Sequence, residues 1–96
     1  MQYFRCDYCG FIQTEKPYWL HEAYSTAIAA QDVGILARNL MNRRVTAALL
    51  KVLFPDATKL VDFGAGHGIL VRLMRDLGFD FVWMDRYASN DYARGF

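Results

Sequence analysis

Three glycines alternate along Val61-Asp62-Phe63-Gly64-Ala65-Gly66-His67-Gly68, an acidic residue precedes them, and a second one, Asp85, follows the apolar run Phe81-Val82-Trp83-Met84. Glycines at this density let the main chain bend sharply and approach a ligand without side chains in the way. Where such a turn joins a strand to a helix, the helix's free N–H groups and the positive end of its dipole face whatever binds, which favours an anionic or polar ligand. An acid at the end of the neighbouring strand lies at the same edge, where its carboxylate can accept hydrogen bonds from two vicinal ribose hydroxyls. A third feature is Cys6-Asp7-Tyr8-Cys9. Two thiols at this spacing make a poor disulfide framework and fit a metal knuckle or a redox pair better.

The elements that must position these residues can be read from periodicity. Lys59 to Phe63 is a short strand, the glycines form the turn, a helix covers roughly 68–77, Gly78 stops it, and Phe81 to Met84 is a second strand. This is a βαβ unit. The second strand is apolar throughout, as a parallel strand covered on both faces should be. Ile69, Leu70, Leu73, Met74 and Leu77 give the helix a broad stripe to lay on the sheet. Upstream, residues 1–16 read as a hairpin whose turn, Cys6 to Gly10, separates Tyr3-Phe4 from Phe11-Ile12. From Pro17 a short amphipathic helix is expected on Leu20, Ala23, Tyr24, Ala27 and Ile28. Asp32 caps a longer helix ended by Pro55, with Leu36, Leu40, Ala47, Leu50 and Phe54 on one face and Arg38, Asn39, Asn42 and Arg43 elsewhere. That long helix is expected to cover one face of the two strands.

The glycine spacing separates two cofactor classes. A dinucleotide fingerprint needs G-x-G-x-x-G, but here the third glycine comes one residue early and Ile69 holds the fingerprint position. Val61 through Gly68 instead resembles the first motif of class I S-adenosylmethionine-dependent methyltransferases, hydrophobic-acidic-x-Gly-x-Gly-x-Gly, and Asp85 resembles the acidic residue ending that family's second strand. The resemblance implies an α/β, Rossmann-like methyltransferase fold that binds S-adenosylmethionine. It places Asp62, Phe63, Gly64, Ala65, Gly66, His67 and Gly68 in the cofactor loop, with Gly64 to Gly66 against the methionine part and Asp62 supporting the loop or the ammonium group. Asp85 would hold the ribose, and Arg86 would flank the adenine.

Tyr3-Phe4-Arg5-Cys6 through Cys9-Gly10-Phe11-Ile12-Gln13-Thr14, followed by Trp19-Leu20-His21-Glu22-Ala23-Tyr24, is similar to a bacterial group of these enzymes with an N-terminal zinc-ribbon-like segment. In that group a further Cys-x-x-Cys comes earlier, and the sheet continues through strands that carry the acceptor-substrate residues. The expected organisation is therefore partial: a zinc-ribbon-like hairpin over 1–16, a helical lead-in over 17–56, and the first βαβ unit of a parallel sheet over 57–96. A chain so built is expected to be inactive by itself and to self-associate through an open strand edge.

Two other classes compete with this reading: a nicotinamide-dependent oxidoreductase, and a non-catalytic zinc or protein-interaction module. Four ligands are usual in structural zinc sites, and only His21 offers a third here, so Cys6 and Cys9 are read as free thiols and no metal site is assigned. His67 fills a permissive loop position and receives no catalytic role; no catalytic residue is assigned. Tyr18, Trp19 and Tyr24 are taken as core rather than a cofactor cover, and Arg38, Arg43 and Arg44 as a solvated helix face. The net charge of +1, without a basic run, gives no footprint for nucleic acid. Neither a signal-like apolar N-terminus nor an apolar stretch of about 18 residues is present, which leads to an expectation of a soluble, cytoplasmic chain without membrane partners.

Overall fold

A computed structural model describes residues 1–23, 25 and 31–93. In chain order they form strands β1 (Tyr3–Arg5) and β2 (Ile12–Thr14), helices α1 (Leu20–Ala23) and α2 (Ile35–Leu53), strand β3 (Leu60–Phe63), helix α3 (Ile69–Asp76) and strand β4 (Phe81–Met84). The architecture is mixed α/β. β1 and β2 pair antiparallel, with Phe4 opposite Gln13. β3 and β4 pair parallel, Leu60 opposite Phe81 through Phe63 opposite Met84. Both strands of this second pair therefore end at one edge, and the glycine turn and Asp85 emerge there side by side.

α3 is the centre of the packing. Val71 and Met74, one turn apart, are fully buried and meet Phe81 of β4. Leu60 and Trp83 close on this cluster from the sheet, and Ala47 and Leu50 from α2. The stripe expected on α3 is shifted: its centre is Val71 and Met74, whereas Leu77 is largely exposed. α3 is flanked by the sheet on one side and α2 on another, so the buried arc turns away from the stripe that a single partner would require. Its C-terminus closes as expected at Gly78, whose φ is 93°. Gly78 N–H donates to Arg75 O (2.9 Å) and Phe79 N–H to Met74 O (3.1 Å), the paired bonds of a Schellman stop.

α2 departs from expectation in three ways. Its N-cap is Gly34, not Asp32; Asp32 instead accepts from Gly34 N–H (3.3 Å) and forms an ion pair with Arg38 (2.6 Å). Its half-covered face carries Ile35, Asn39, Arg43, Ala47 and Leu50, while Leu36, Leu40 and Phe54 are exposed. Its principal partner is α3 rather than the strands, so the far face of β3 keeps Val61 and Phe63 exposed, Phe63 to 84%. The helical reading from Pro17 holds only over Leu20–Ala23; Tyr24, Ala27 and Ile28 lie outside the described residues. Among the described residues no helix is long and apolar enough to cross a membrane.

Candidate functional site

The turn between β3 and α3 depends on glycine geometry. Gly64, Gly66 and Gly68 have φ of 81°, 58° and 93°, values that L side chains with a Cβ adopt at a cost of about 1–2 kcal/mol each. Three consecutive residues at the end of β4 then hold this turn. Met84 O accepts from Gly64 N–H (2.9 Å) and Ala65 N–H (3.2 Å). Trp83 Nε1 donates to Gly66 O (2.6 Å), and Asp85 Oδ2 accepts from Gly66 N–H (2.8 Å). The loop is thus preformed by the neighbouring strand.

Asp85 also caps its own turn, its Oδ1 accepting from Tyr87 N–H (2.6 Å) and Ala88 N–H (2.9 Å). Partial burial alone would raise this carboxyl, but the three amides, aided by His67, outweigh it and hold Asp85 below the ordinary carboxylate range. Asp62 is the opposite case. It is half-buried in β3, no described residue donates a hydrogen bond to it, and desolvation followed by repulsion from Asp85 raises its carboxyl.

A charge held in this way weakens the fold. The folded-state value of Asp62 lies above its unfolded one, so its contribution is intact at low pH and stability is lost as pH rises through the raised folded value. Asp62→Asn is therefore expected to raise Tm at neutral pH, by less than about 1 kcal/mol after solvent screening, or a few degrees. The gain should vanish as pH falls below the carboxylate range. Thermal unfolding across pH measures this, and a lower Tm for the variant at neutral pH would contradict it.

A cleft of about 630 Å³ opens where β3 and β4 end. Of the nine residues expected in the site, Phe63, Gly64, Gly66, Asp85 and Arg86 line it, joined by Met84, Tyr87 and Leu20. The other four support the loop from outside the cleft. Asp62 sits in β3. Ala65 packs against the core and accepts Gly68 N–H (3.0 Å). His67 Nδ1 pairs with Asp91 Oδ2 (2.7 Å), and its carbonyl accepts Asp91 N–H (3.1 Å). Gly68 is buried beneath Trp83, Asn90 and Ala93.

Leu20, Met84 and Tyr87 escaped the sequence reading. Met84 reads in the sequence as strand alone, although the last residue of a parallel strand necessarily borders the loop edge. Tyr87 follows an aspartate that turns the chain through its own side chain, a local signal present in Asp85-Arg86-Tyr87. Leu20 is brought in by tertiary packing, and on the next residue His21 meets the Tyr87 ring edge to face (6.0 Å between centroids). Of the aromatic residues expected in the core, Tyr18 is instead 83% exposed, Trp19 is half-buried and Tyr24 lies outside the described residues. Arg38 is held by Asp32, and Arg86 lies 5.8 Å from the Tyr87 ring centroid.

The two cysteines are free and exposed. The amides of Cys9 and Tyr8 and the Cys9 thiol all bond to Cys6, holding its thiol below the ordinary value. Among the described residues no group of three or more His, Cys, Asp or Glu side chains is arranged to hold a metal ion. No protein-family model, curated protein or solved structure matches the chain.

Proposed function

We propose that the chain is the S-adenosylmethionine-binding part of a methyltransferase, and that β3, α3 and β4 are the first unit of a Rossmann-like parallel sheet. The supporting observation is the meeting of Gly64, Gly66 and Asp85 in one cleft at the carboxyl ends of two parallel strands, the place where open α/β sheets bind their ligands. The residues fit the cofactor in kind. The cleft volume lies within the roughly 300–1,000 Å³ of small-molecule sites, Phe63, Met84 and Leu20 supply apolar wall, and Asp85 supplies an acceptor at the rim.

When bound, the cofactor supplies an electrophilic sulfonium methyl, whose carbon–sulfur bond breaks as the acceptor's lone pair forms the new bond and the sulfur keeps the electron pair. The chain's own residues bind and orient. Asp85 already accepts three amides, so of roughly four acceptor directions on a carboxylate one is left for a ribose hydroxyl. A second hydroxyl is accommodated only if Gly66 N–H yields its place. Gly64 and Gly66 leave open space at their α-carbons, where the methionine part can lie against main chain. Arg86 and Tyr87 form the polar-aromatic end suited to the adenine. The acceptor would be a nucleophile brought to this edge.

Calorimetry with S-adenosylhomocysteine tests the reading, with NAD as the control ligand. Binding of the first and none of the second is expected. Binding of NAD alone would replace this proposal with an oxidoreductase.

A further inference from the structure

We propose that Trp83 is the positioning residue of the cleft: its indole N–H holds the Gly66 carbonyl and keeps the glycine turn in place while Asp85 exchanges Gly66 N–H for a ligand hydroxyl. The part that concerns the ligand rests on the cofactor reading of the cleft; the hold on the turn does not.

Gly66 is the glycine of this turn whose two main-chain polar groups are both taken by side chains. Its N–H donates to Asp85 Oδ2 (2.8 Å) and its carbonyl accepts from Trp83 Nε1 (2.6 Å). Gly64 and Gly68 are tied through main chain instead, their N–H groups donating to Met84 O (2.9 Å) and Ala65 O (3.0 Å). At φ of 58° a glycine has no side chain to restrict it and loses more freedom on being fixed than any other residue. What fixes Gly66 therefore sets how much disorder an entering ligand must remove. Its α-carbon borders the cleft and faces open space, so this is main chain that a ligand can touch.

Trp83 holds the carbonyl firmly because its ring has nowhere to go. It packs against the cluster of Val71, Met74 and Phe81, and its Cδ1 stands 3.3 Å from the place a Cβ on Gly68 would take. The ring is thus wedged between the sheet and the start of α3. An indole carries one donor and no acceptor, and this one is spent on Gly66. Trp19 is the contrast: its Nε1 is buried without a partner among the described residues.

Asp85 and Trp83 divide the work unequally. Asp85 Oδ1 already accepts Tyr87 N–H and Ala88 N–H, so a second ribose hydroxyl reaches this carboxylate only as Gly66 N–H leaves Oδ2. The Trp83 bond is then the remaining side-chain tie on Gly66. Asp85 serves ligand and turn in alternation, whereas Trp83 serves the turn throughout.

The test replaces Trp83 by benzothienylalanine, which keeps the double ring and puts sulfur where the N–H stands. Amide hydrogen exchange of the ligand-free chain is read residue by residue, and S-adenosylhomocysteine is then titrated by calorimetry. Exchange at the Gly64, Gly66 and Gly68 amides is expected to quicken about three- to tenfold while the α3 amides of Val71 and Met74 keep their wild-type rates, and affinity is expected to fall by a similar factor. In the wild type, ligand should release the Gly66 amide to exchange and leave the Trp83 indole N–H protected. Unchanged exchange in the loop would overturn the hold, as would equal quickening in loop and α3, which marks the ring as packing alone. Unchanged affinity with a loosened loop would overturn the part that concerns the ligand. A wild-type chain that binds no S-adenosylhomocysteine, with loop exchange quickened in the variant, would overturn the cofactor reading and that part with it, and would support the hold on the turn.

Discussion

Asp85→Ala is expected to weaken S-adenosylhomocysteine binding about ten- to hundredfold, from loss of roughly 1.5–3 kcal/mol of charge-assisted hydrogen bonding. The structure makes the effect twofold. Asp85 is both the acceptor that the proposed cofactor would meet at the cleft rim and the partner of Gly66, Tyr87 and Ala88 N–H groups, so alanine would remove that contact and release the loop that shapes the cleft. Asp85→Asn separates the loop contact from the turn after β4. Its amide oxygen can still serve Tyr87 and Ala88, but its NH₂ would face the Gly66 donor. Loop closure and ligand affinity should therefore both suffer, with the turn after β4 spared.

Stability should follow the same residue. The folded-state carboxyl of Asp85 lies below its unfolded value, so its contribution is present above the unfolded value and is lost as pH falls through the folded one. Asp85→Ala should accordingly be destabilised at neutral pH and should show a flatter acid limb than the wild type. Calorimetric affinity unchanged by Asp85→Ala would refute the role assigned to this carboxylate.

Gly68→Ala is expected to be the most destabilising substitution in the loop, at roughly 2–3 kcal/mol, or on the order of 10 °C in Tm. Two costs add. The φ of 93° is unfavourable to any Cβ, and a Cβ placed there would stand 3.0 Å from the Ala93 Cβ and 3.3 Å from Trp83 Cδ1. At Gly64 and Gly66 a Cβ would meet nothing within 4 Å, leaving only the backbone cost of about 1–2 kcal/mol. The order should reverse for ligand binding, because Gly64 and Gly66 line the cleft and Gly68 does not. Thermal unfolding and calorimetry on the three alanine variants test both orders. A Gly68→Ala protein with wild-type Tm would show that the segment after β4 does not press on the helix start.

Much of this region could be read locally. Gly78 announced the end of α3 because a residue with positive φ closes a Schellman stop, and the unbroken apolar run Phe81 to Met84 marked a strand beside another strand. The Cys6 to Gly10 turn was equally local. α2 was legible as a helix but not in its facing. Leu36, Leu40 and Phe54 satisfy helical periodicity yet are exposed, while Asn39 and Arg43 are half-covered, because periodicity names possible faces and the position of α3 selects among them. Asp32 followed the capping pattern, but Arg38 competes for its carboxylate at 2.6 Å, and the helix starts after Gly34.

The sequence by itself determined the chemistry on offer: where glycines permit positive φ, where carboxylates stand at strand ends, and where two thiols share a turn. These are properties of residue type and short spacing, and the chain carries them into any fold. Only the tertiary structure decided how far Asp62 and Asp85 differ. Asp62 lies within β3 and Asp85 directly follows β4, yet Asp85 gathers three amides and falls below the ordinary range while Asp62 receives none and rises above it. The cause is twofold: Asp85 turns its own chain and gathers the Tyr87 and Ala88 amides, and the glycine turn folds over β4 and delivers Gly66 N–H to it, while Asp62 stays desolvated in β3. The Tyr87 and Ala88 donors lie two and three residues on and are encoded locally, whereas the Gly66 donor, nineteen residues away, reaches Asp85 only because the strands pair, and spacing along the chain does not encode that.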